Sequence, residues 1–352
     1  MDLSPYQFDL PEELIALRPV SPRDAARLLV VHGDGRLEDR QVLDLPGILG
    51  SDYVMVFNDT RVIPAALKGV RPARDENGND VELDANLVEA LEVPGHWQAL
   101  IRPGRRLRPG DPIRFDGGLT AEVVEKHVDG SFILSFSETG SALDEKLDEV
   151  GAMPLPPYIA RRRAADRQDR TDYQTRFASN DAGSVAAPTA GLHFTDRLLE
   201  NLKASRTDRE FVRLHVGLGT FMPLTDKHME EGRLHEEWRS ISPEVAGKLN
   251  AAREAGKKIL PVGTTAMRTL ESAATGQGIV QAVSGPTDIF IRPGDPIHAT
   301  DALMTNFHLP GSSLFMLVSA LMGTDIMQAA YAHAIAEKYR FYSYGDACLL
   351  LP

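Results

Sequence analysis

Short apolar segments separated by turn residues occupy the chain from roughly residue 64 to residue 138. In the last segment Phe132, Leu134 and Phe136 share one face at period 2, opposite Ser131, Ser135 and Ser137, which is the pattern of a strand. Turns such as Asp116-Gly117-Gly118 split the stretch into five or six short strands, and this spacing predicts a small antiparallel β-barrel. We expect the barrel to be an insertion, because the segments on both sides of it follow a different pattern.

The rest of the chain alternates apolar runs of strand length with helical patterns. Helices are predicted to begin after Thr195, a good N-cap, and at Ser242-Pro243, an N-cap followed by a proline in the first turn. The alternation predicts an α/β fold. The predicted strands include Tyr53–Phe57, Phe211–Leu214, Lys258–Val262, Ile289–Ile291 and Cys348–Leu351.

The length of 352 residues suits two domains, and 43% hydrophobic residues can bury a large core. We therefore predict a discontinuous α/β domain formed by residues 1–63 and 150–352. The barrel domain is predicted at residues 64–149.

Charge and cysteine content narrow the class of protein. The formal net charge is −12, which argues against binding nucleic acid through overall positive charge but allows a local basic surface. The single cysteine, Cys348, fits a reducing compartment. The first residues do not resemble a secretory signal, and the longest apolar run, Leu314–Met322, is too short to cross a bilayer. We expect a cytoplasmic protein without a membrane partner.

Polar residues combined with small ones stand at the ends of several predicted strands, where open α/β sheets place their sites. Five strings combine such residues, three of them after predicted strands and two leading into predicted helices, and each is a candidate for substrate binding or catalysis. They are Asn58-Asp59-Thr60-Arg61, Ala187–Thr195 with Thr189, Gly191 and His193, His215–Phe221 with Gly217 and Gly219, Gly263-Thr264-Thr265, and Thr305–His308 with Asn306.

Each string also has a plainer interpretation. Gly217 and Gly219 lack the third glycine of a dinucleotide fingerprint and can form an ordinary tight turn. Free amides after Gly263 can hold a carboxylate or a ribose oxygen, or simply begin a helix. Asp59 and Arg61 can be a structural ion pair. The four histidines in or near these strings lack the i, i+4 spacing of a helical zinc motif, so we predict no metal site.

Two groups of arginines stand out in an otherwise acidic chain. Arg102, Arg105, Arg106 and Arg108 fall within one short stretch, and Arg161-Arg162-Arg163 begins a second group. Phosphate contacts in nucleic-acid binding need such groups. A solvated charged face is the alternative for both.

Taken together and in order, these strings resemble one family, the S-adenosylmethionine:tRNA ribosyltransferase-isomerases of queuosine synthesis. The resemblance covers nearly the whole chain and is weakest in the predicted barrel and in Ser272–Val283. It is carried by FDLPEELIALRP, RDAARLLV, FNDTRVIPA, PLPPYI, YQT, VAAPTAGLHFT, LHVGLGTF, HEEW, VGTTAMRTLES, TDIFIRPG, TNFHLPGSSLFMLVSA and YRFYSYGDACLL.

The resemblance implies an α/β domain with a mixed sheet and an inserted β-barrel. It implies that the ribosyl part of S-adenosylmethionine is moved onto 7-aminomethyl-7-deazaguanine at the tRNA wobble position and isomerised. The products are epoxyqueuosine, adenine and methionine. The implied partners are this tRNA and S-adenosylmethionine, which is consumed as a substrate, with no metal or other cofactor. We expect the chain to act as a monomer.

The chemistry of the donor suggests roles for the candidate residues. A sulfonium acidifies the neighbouring C5′ hydrogens, so a general base is needed beside that carbon. Asp59, His193 and His215 are our candidates for proton transfer, and Asp59 can also balance the sulfonium charge. Gly263, Thr264, Thr265 and Arg268 are predicted to receive the methionine end or ribose oxygens. The other predicted substrate-binding residues are Asn58, Thr60, Arg61, Thr189, Gly191, Gly217, Gly219, Asn306 and His308, and tRNA binding is predicted for Arg161, Arg162 and Arg163.

This chain departs from the usual family pattern at three positions. Ala66 stands where the family commonly has arginine, Pro286 where it has tryptophan, and Cys348 where it has methionine. The central strings are intact, so activity is still expected.

Two other functions compete with this prediction. An S-adenosylmethionine-dependent RNA methyltransferase would leave S-adenosylhomocysteine and no adenine, and the chain lacks the early strand–Gly-x-Gly–helix signature common in such enzymes. A non-catalytic RNA-binding module would bind tRNA without turnover, but it leaves the many polar strings at strand ends unexplained.

Overall fold

The computed structural model describes most of the chain, namely residues 3–128, 130–179, 182–217 and 224–352. Its contacts divide the chain into two compact units. The first comprises Met1–Thr60, Thr175–Ser179 and Pro188–Pro352, and the second comprises Arg61–Gln174 and Asn180–Ala187. The predicted insert at 64–149 falls inside the second unit, which also takes in flanking chain.

The strands and helices follow in chain order. The strands are β1 Arg27–His32, β2 Leu37–Gln41, β3 Tyr53–Asn58, β4 Arg61–Val62, β5 Ala66–Arg71, β6 Val81–Ala90, β7 His96–Arg102, β8 Pro112–Phe115, β9 Thr120–Lys126, β10 Ser131–Phe136, β11 Ala182–Ser184, β12 Asp208–Leu214, β13 Arg233–Ile241, β14 Lys258–Val262, β15 Val283–Ile289, β16 Leu303–Asn306 and β17 Ala347–Leu351. The helices are α1 Leu45–Leu49, α2 Gly140–Val150, α3 Pro157–Ala160, α4 Asp169–Asp172, α5 Asp196–Ala204, α6 Asp226–Glu231, α7 Pro243–Glu254, α8 Thr264–Glu271, α9 Ser313–Met322 and α10 Thr324–Ala336.

A mixed sheet forms the frame of the first unit. Within the described residues it has nine strands in the order β15-β13-β12-β3-β14-β16-β17-β1-β2. The four central strands β12, β3, β14 and β16 are mutually parallel. β13 and β15 extend one side in antiparallel fashion, and β17 runs antiparallel to β16 on the other. The predicted α/β fold with a mixed sheet is thus confirmed.

The central strands are apolar because both of their faces are covered. In β3, Met55 and Phe57 pack into the cluster that contains α5, whereas Val54 and Val56 pack with α7 and α8 on the opposite face. The period-2 alternation of a strand divides its side chains between the two faces. This rigid double-sided core holds the strand ends, where the candidate residues lie.

Local capping explains where several helices begin. The Thr195 side chain accepts a hydrogen bond from the Leu198 amide at the start of α5, and Ser242 does the same for Val245 in α7. Both predicted helix starts are confirmed.

The strand predicted at Ile289–Ile291 is wrong in its limits. The strand lies earlier, at Val283–Ile289, and pairs with β13. Gly285 and Pro286 give this segment low strand propensity, so tertiary pairing decides its conformation. Proline is tolerated there because β15 is an edge strand of the sheet.

The second unit contains a closed antiparallel barrel. Its order is β10-β7-β6-β5-β8-β9 in the described part of the chain, so the predicted barrel is confirmed. Alternate residues of β6 fill its interior, with Val81, Leu83, Ala85 and Leu87 all buried. β4 and β11 form a separate parallel pair in the same unit.

Among the described residues, no individual helix is both long and apolar enough to cross a membrane. The consecutive helices α9 and α10 meet the length and composition criteria only when they are taken together, and they are bent by 115° at the break between them.

Candidate active site

Four parallel strands end at one edge of the sheet and bring the predicted strings together. His215 follows β12, Asp59 and Thr60 follow β3, Gly263 follows β14, and the chain leaves β16 at Asn306. Because these strands are neighbours and parallel, their carboxyl ends line a single edge. The 3₁₀ turn Thr189–His193 packs against β16 and so belongs to the same site.

Asn58 joins the ends of β3 and β12. Its side-chain amide donates to the Leu214 carbonyl at 2.9 Å, and its Oδ1 accepts from the backbone amides of Thr60 and Leu214 at 3.1 and 3.2 Å. The residue is 2% exposed. These contacts engage both ends of the side-chain amide in shaping the loop, so we assign Asn58 a positioning role.

Asp59 lies in a two-pronged ion pair with Arg213 of β12. Arg213 Nε and Nη2 donate to the two carboxylate oxygens at 2.9 and 2.8 Å, and Nη2 also reaches Ser179 Oγ at 3.1 Å. Parallel hydrogen bonds of this kind fix orientation as well as charge. The Asp59 carboxylate is therefore held in place by a partner that the sequence analysis did not identify.

His215 is partly exposed at the end of β12. Its Nδ1 lies 3.0 Å from Thr60 Oγ1, and its ring stacks on Trp238 with centroids 5.1 Å apart and planes 20° apart. When Nδ1–H donates to the threonine, Nε2 is the basic atom of the ring. Two fixed contacts thus set the orientation of the imidazole.

His193 is enclosed on the β16 side of the edge. Asn306 Nδ2 lies 3.3 Å from His193 Nε2, and Thr189 Oγ1 donates to Asn306 Oδ1 at 2.8 Å. Burial is the largest effect on His193 and lowers the pKa of its imidazole to about 4. The residues therefore form a neutral hydrogen-bonded chain near pH 7.

His308 is also buried and neutral. Burial lowers the pKa of its imidazole to about 3, and its Nε2 lies 3.0 Å from Thr305 Oγ1. Its backbone amide donates to the Tyr331 hydroxyl at 2.9 Å. These contacts anchor the loop that follows β16.

The start of α8 lies at this edge, because Gly263 directly follows β14. Gly263 has φ +93°, a left-handed conformation that favours glycine, and its amide donates to the Met304 carbonyl at 2.7 Å. The first backbone–backbone bond of the helix is Met267 N–H to Gly263 O, so the amides before it have no helical acceptor. Thr265 Oγ1 is buried without a hydrogen-bond partner among the described residues. A helix start with such donors suits an anion.

Arg268 of α8 faces β13. It is 5% exposed and forms a buried ion pair with Glu237 of β13, and its Nε donates weakly to the Ile289 carbonyl at 3.4 Å. The contact fixes α8 against β13, which gives Arg268 a positioning role in the first unit.

The remaining candidates are dispersed. Arg61 lies in β4 of the second unit, 3.6 Å from Asp148. Gly191 is buried, and a Cβ there would lie 3.1 Å from Thr175 Cγ2, so close packing accounts for it. Gly217 is partly buried, and Gly219 lies outside the described residues.

The predicted tRNA-binding arginines differ from one another. Arg163 donates to both oxygens of buried Asp169 at 2.7 and 2.6 Å, which ties down α4. Arg161 and Arg162 are exposed.

The barrel carries a second arginine group on the turn between β7 and β8. Arg105, Arg106 and Arg108 are exposed, and no ion pair involves their side chains within the described residues. The one acid of this turn, Asp111, is bound by Arg74 at 2.8 and 2.6 Å. These hydrogen bonds lower the pKa of the Asp111 carboxyl. The turn therefore keeps its positive charge.

Sequence reasoning missed Arg213, Glu237 and Trp238. The sequence did contain a signal for Arg213. It stands two residues before His215, and side chains two positions apart in extended chain point to the same face. The string HEEW contains Glu237 and Trp238, but nothing in it tells which side chain is buried. In the parts of the chain that the structure describes, no group of three or more potential ligands could hold a metal ion.

Comparison with known proteins identifies the family. The family model described as Queuosine biosynthesis protein matches residues 3–350. The chain belongs to this family.

Named relatives that match this chain over nearly their full length are consistent with this family. An S-adenosylmethionine:tRNA ribosyltransferase-isomerase of Hyphomonas neptunium is 68% identical over 352 residues, covering 100% of both chains. One from Maricaulis maris is 55% identical over 351 residues and 99% of both chains. The crystal structure of S-adenosylmethionine tRNA ribosyltransferase from Thermotoga maritima has 34% identity and a TM-score of 0.55, covering 99% of this chain and 100% of that one.

Within the queuosine biosynthesis family, the alternatives of a methyltransferase and a non-catalytic RNA-binding module find no support. The three departures from the family pattern lie at defined positions. Ala66 begins β5, Cys348 is buried in β17, and Pro286 lies directly across from Trp238 in the β13–β15 pair.

Proposed function

We propose that this chain transfers the ribosyl unit of S-adenosylmethionine to 7-aminomethyl-7-deazaguanine at the wobble position of tRNA, isomerises it, and releases adenine and methionine. Membership of the queuosine biosynthesis family supports the reaction. One observation supports the position of the proposed active site. The carboxyl ends of four parallel strands bring His215, the ion-paired Asp59 and the start of α8 to one edge of the sheet.

His215 is our choice for the general base that removes a C5′ proton. Asp59 is held by Arg213, and His193 is enclosed, whereas His215 is partly exposed and oriented by Thr60. Proton transfer needs a group within reach of the proton, and a partly exposed imidazole oriented by Thr60 meets this condition. The sulfonium polarises the C5′–H bond, and the imidazole takes the proton.

The start of α8 is our proposed site for the methionine carboxylate. Its first-turn amides carry the positive end of the helix dipole and are strong donors to an anion. Thr265 Oγ1 adds a buried hydroxyl that lacks a partner in the described part of the molecule. The Asp59 carboxylate, although paired, supplies negative charge for the sulfonium.

Asn306 and His193 would complete the pocket with neutral hydrogen bonds. Such groups suit ribose hydroxyls or the ring nitrogens of adenine, because they bind without adding charge. Thr189 holds the Asn306 amide in the orientation seen.

Phosphates of tRNA are proposed to contact the β7–β8 turn together with Arg161 and Arg162. Lys126 adds charge to the turn, with its Nζ 3.0 Å from the Gly104 carbonyl. Replacing Arg105, Arg106 and Arg108 by Gln should weaken tRNA binding and reduce its salt dependence. The slope of the logarithm of the binding constant against the logarithm of the salt concentration should fall by about 0.7 to 0.9 for each lost phosphate contact. Replacing Arg161 and Arg162 by Gln measures the other group separately, and an unchanged slope in either variant would reassign that group to a solvated face.

The direct test of the proposed function is product analysis. S-adenosylmethionine is incubated with tRNA carrying the deazaguanine precursor, and free adenine and modified tRNA are quantified by mass spectrometry. We expect both to form in equal amounts, with and without a metal chelator, since we propose no metal or other cofactor. Formation of S-adenosylhomocysteine, or unchanged precursor tRNA without adenine, would contradict the proposal.

We further propose that the enzyme works as a monomer in the cytoplasm, where its tRNA substrate is found. Light scattering of the protein with and without tRNA measures whether it is a monomer.

A further inference from the structure

Trp238 is an aromatic side chain left open to solvent on β13. It is 37% exposed, whereas Trp97, the other tryptophan of the chain, is 9% exposed inside the barrel. Large aromatic side chains dominate both cores and binding surfaces, so an exposed one that stacks on a candidate catalytic histidine calls for a functional explanation.

The neighbouring residue determines which way the indole faces. Glu237 is 7% exposed and forms the buried ion pair with Arg268 of α8. Successive side chains of a strand point to opposite faces, so burying Glu237 against α8 directs Trp238 to the other face. A shift of register by one residue would bury the indole and expose the acid.

Trp238 forms a continuous row with residues of two neighbouring strands. The His215 amide donates to the Trp238 carbonyl at 2.9 Å, and Pro286 is its cross-strand partner on β15. The row therefore runs from the imidazole of His215, across the indole of Trp238, to the exposed ring of Pro286. It lies at the carboxyl end of β12, beside Thr60.

We propose that the stacked pair of Trp238 and His215 is a platform for an unpaired nucleobase. Every base has a flat π-face, and stacking on exposed aromatic side chains is the common way in which proteins hold unpaired bases. An enzyme that modifies a base must take it out of its stack, so an aromatic surface beside the reacting groups fits that need. The inference rests on the proposed function, and the base comes either from the tRNA anticodon loop or from the adenine of S-adenosylmethionine.

Intrinsic fluorescence tests the platform without turnover. Stacking of a base on Trp238 should quench emission when an anticodon stem-loop RNA or S-adenosylmethionine is added to the wild-type protein. Trp238→Phe, which keeps Trp97, should show no such quenching. Quenching by S-adenosylmethionine alone assigns the platform to adenine, and quenching by RNA alone assigns it to a tRNA base.

Binding constants give the second readout. Trp238→Ala should weaken binding of the quenching ligand by about five- to 150-fold, and Trp238→Phe should recover most of the affinity because a ring is retained. Equal emission changes in wild type and Trp238→Phe, or binding of both ligands by Trp238→Ala within twofold of wild type, would overturn the proposal. If Trp238→Ala fails to fold, the fluorescence comparison decides alone. Failure of the proposed function would instead appear as wild-type protein that binds these ligands but releases no adenine.

Discussion

The carboxyl edge of the sheet has two halves that differ in burial and charge. The buried half, made of Thr189, His193, Asn306 and His308, is enclosed, and its two histidines are 5% and 8% exposed. The open half, made of Asp59, Arg213, His215 and Trp238, is more accessible, with Asp59 and Arg213 side chains 20% and 22% exposed.

The difference in burial indicates that the two halves of this edge have different roles in the reaction. Burial removes charge from the buried half, because it lowers the pKa values of His193 and His308 to about 4 and about 3. The open half keeps an ion pair and an imidazole that solvent and substrate can reach. We infer that the buried half positions the substrate and that the open half carries the changes in protonation.

Removing the imidazole of His215 is expected to have the largest effect. His215→Gln should lower turnover by about 10²- to 10⁴-fold, the scale of a lost general base, with a smaller effect on S-adenosylmethionine binding. Adenine release under single-turnover conditions measures it. The matched control is His32→Gln, since His32 ends a strand at the opposite edge of the same sheet, where it contacts Glu38. Turnover of His215→Gln close to that of the control would show that the open half does not hold the base.

Neutralising Asp59 tests the charge of the open half. Asp59→Asn should lower turnover by at least about tenfold, because it removes negative charge near the sulfonium and leaves Arg213 without its carboxylate. Arg213→Lys keeps a positive charge but loses the two-pronged contact, so it separates charge from geometry. Near-wild-type adenine release by Asp59→Asn would remove the residue from the catalytic site.

The pH dependence of stability tests the buried half. Both histidines have folded-state pKa values below the unfolded value of about 6.5, so the unfolded chain binds more protons as the pH falls. Their stabilising effect is complete above pH 6.5 and is lost as the pH falls towards 4. Between pH 7.5 and 5.5 each histidine should reduce the free energy of unfolding by about 1.4 kcal/mol.

Urea unfolding of wild type and His308→Gln at these two pH values checks this. The variant is expected to be less stable overall but to lose less stability on acidification. The same loss on acidification in both proteins would mean that His308 is accessible to protons in the folded state.

Much of the fold could be predicted because its signals are local. The caps Thr195 and Ser242 and the alternation in β10 each need only a few neighbouring residues. His215 could be proposed for the site because it follows a predicted strand, whereas the strand that ends at Asn306 was not predicted. The strand Val283–Ile289 was missed because only pairing with β13 defines it.

Partnerships across the chain could not be predicted. Asp59 and Arg213 are separated by 154 positions, and nothing in either string indicates the other. Asn58 was predicted to bind substrate because its string follows a strand, yet its side chain contacts the backbone of Leu214 and Thr60. Which of Glu237 and Trp238 is buried depends on Arg268, a residue of a different element.

The distance from His215 to the donor sugar tests the central claim most directly. A crystal structure of the protein with S-adenosylmethionine bound should place His215 Nε2 roughly 3 to 3.5 Å from C5′, the separation of groups poised to react. The methionine carboxylate should lie at the start of α8 in the same structure. A complex in which another side chain lies nearer to C5′, or in which the sugar faces away from this edge, would contradict the account.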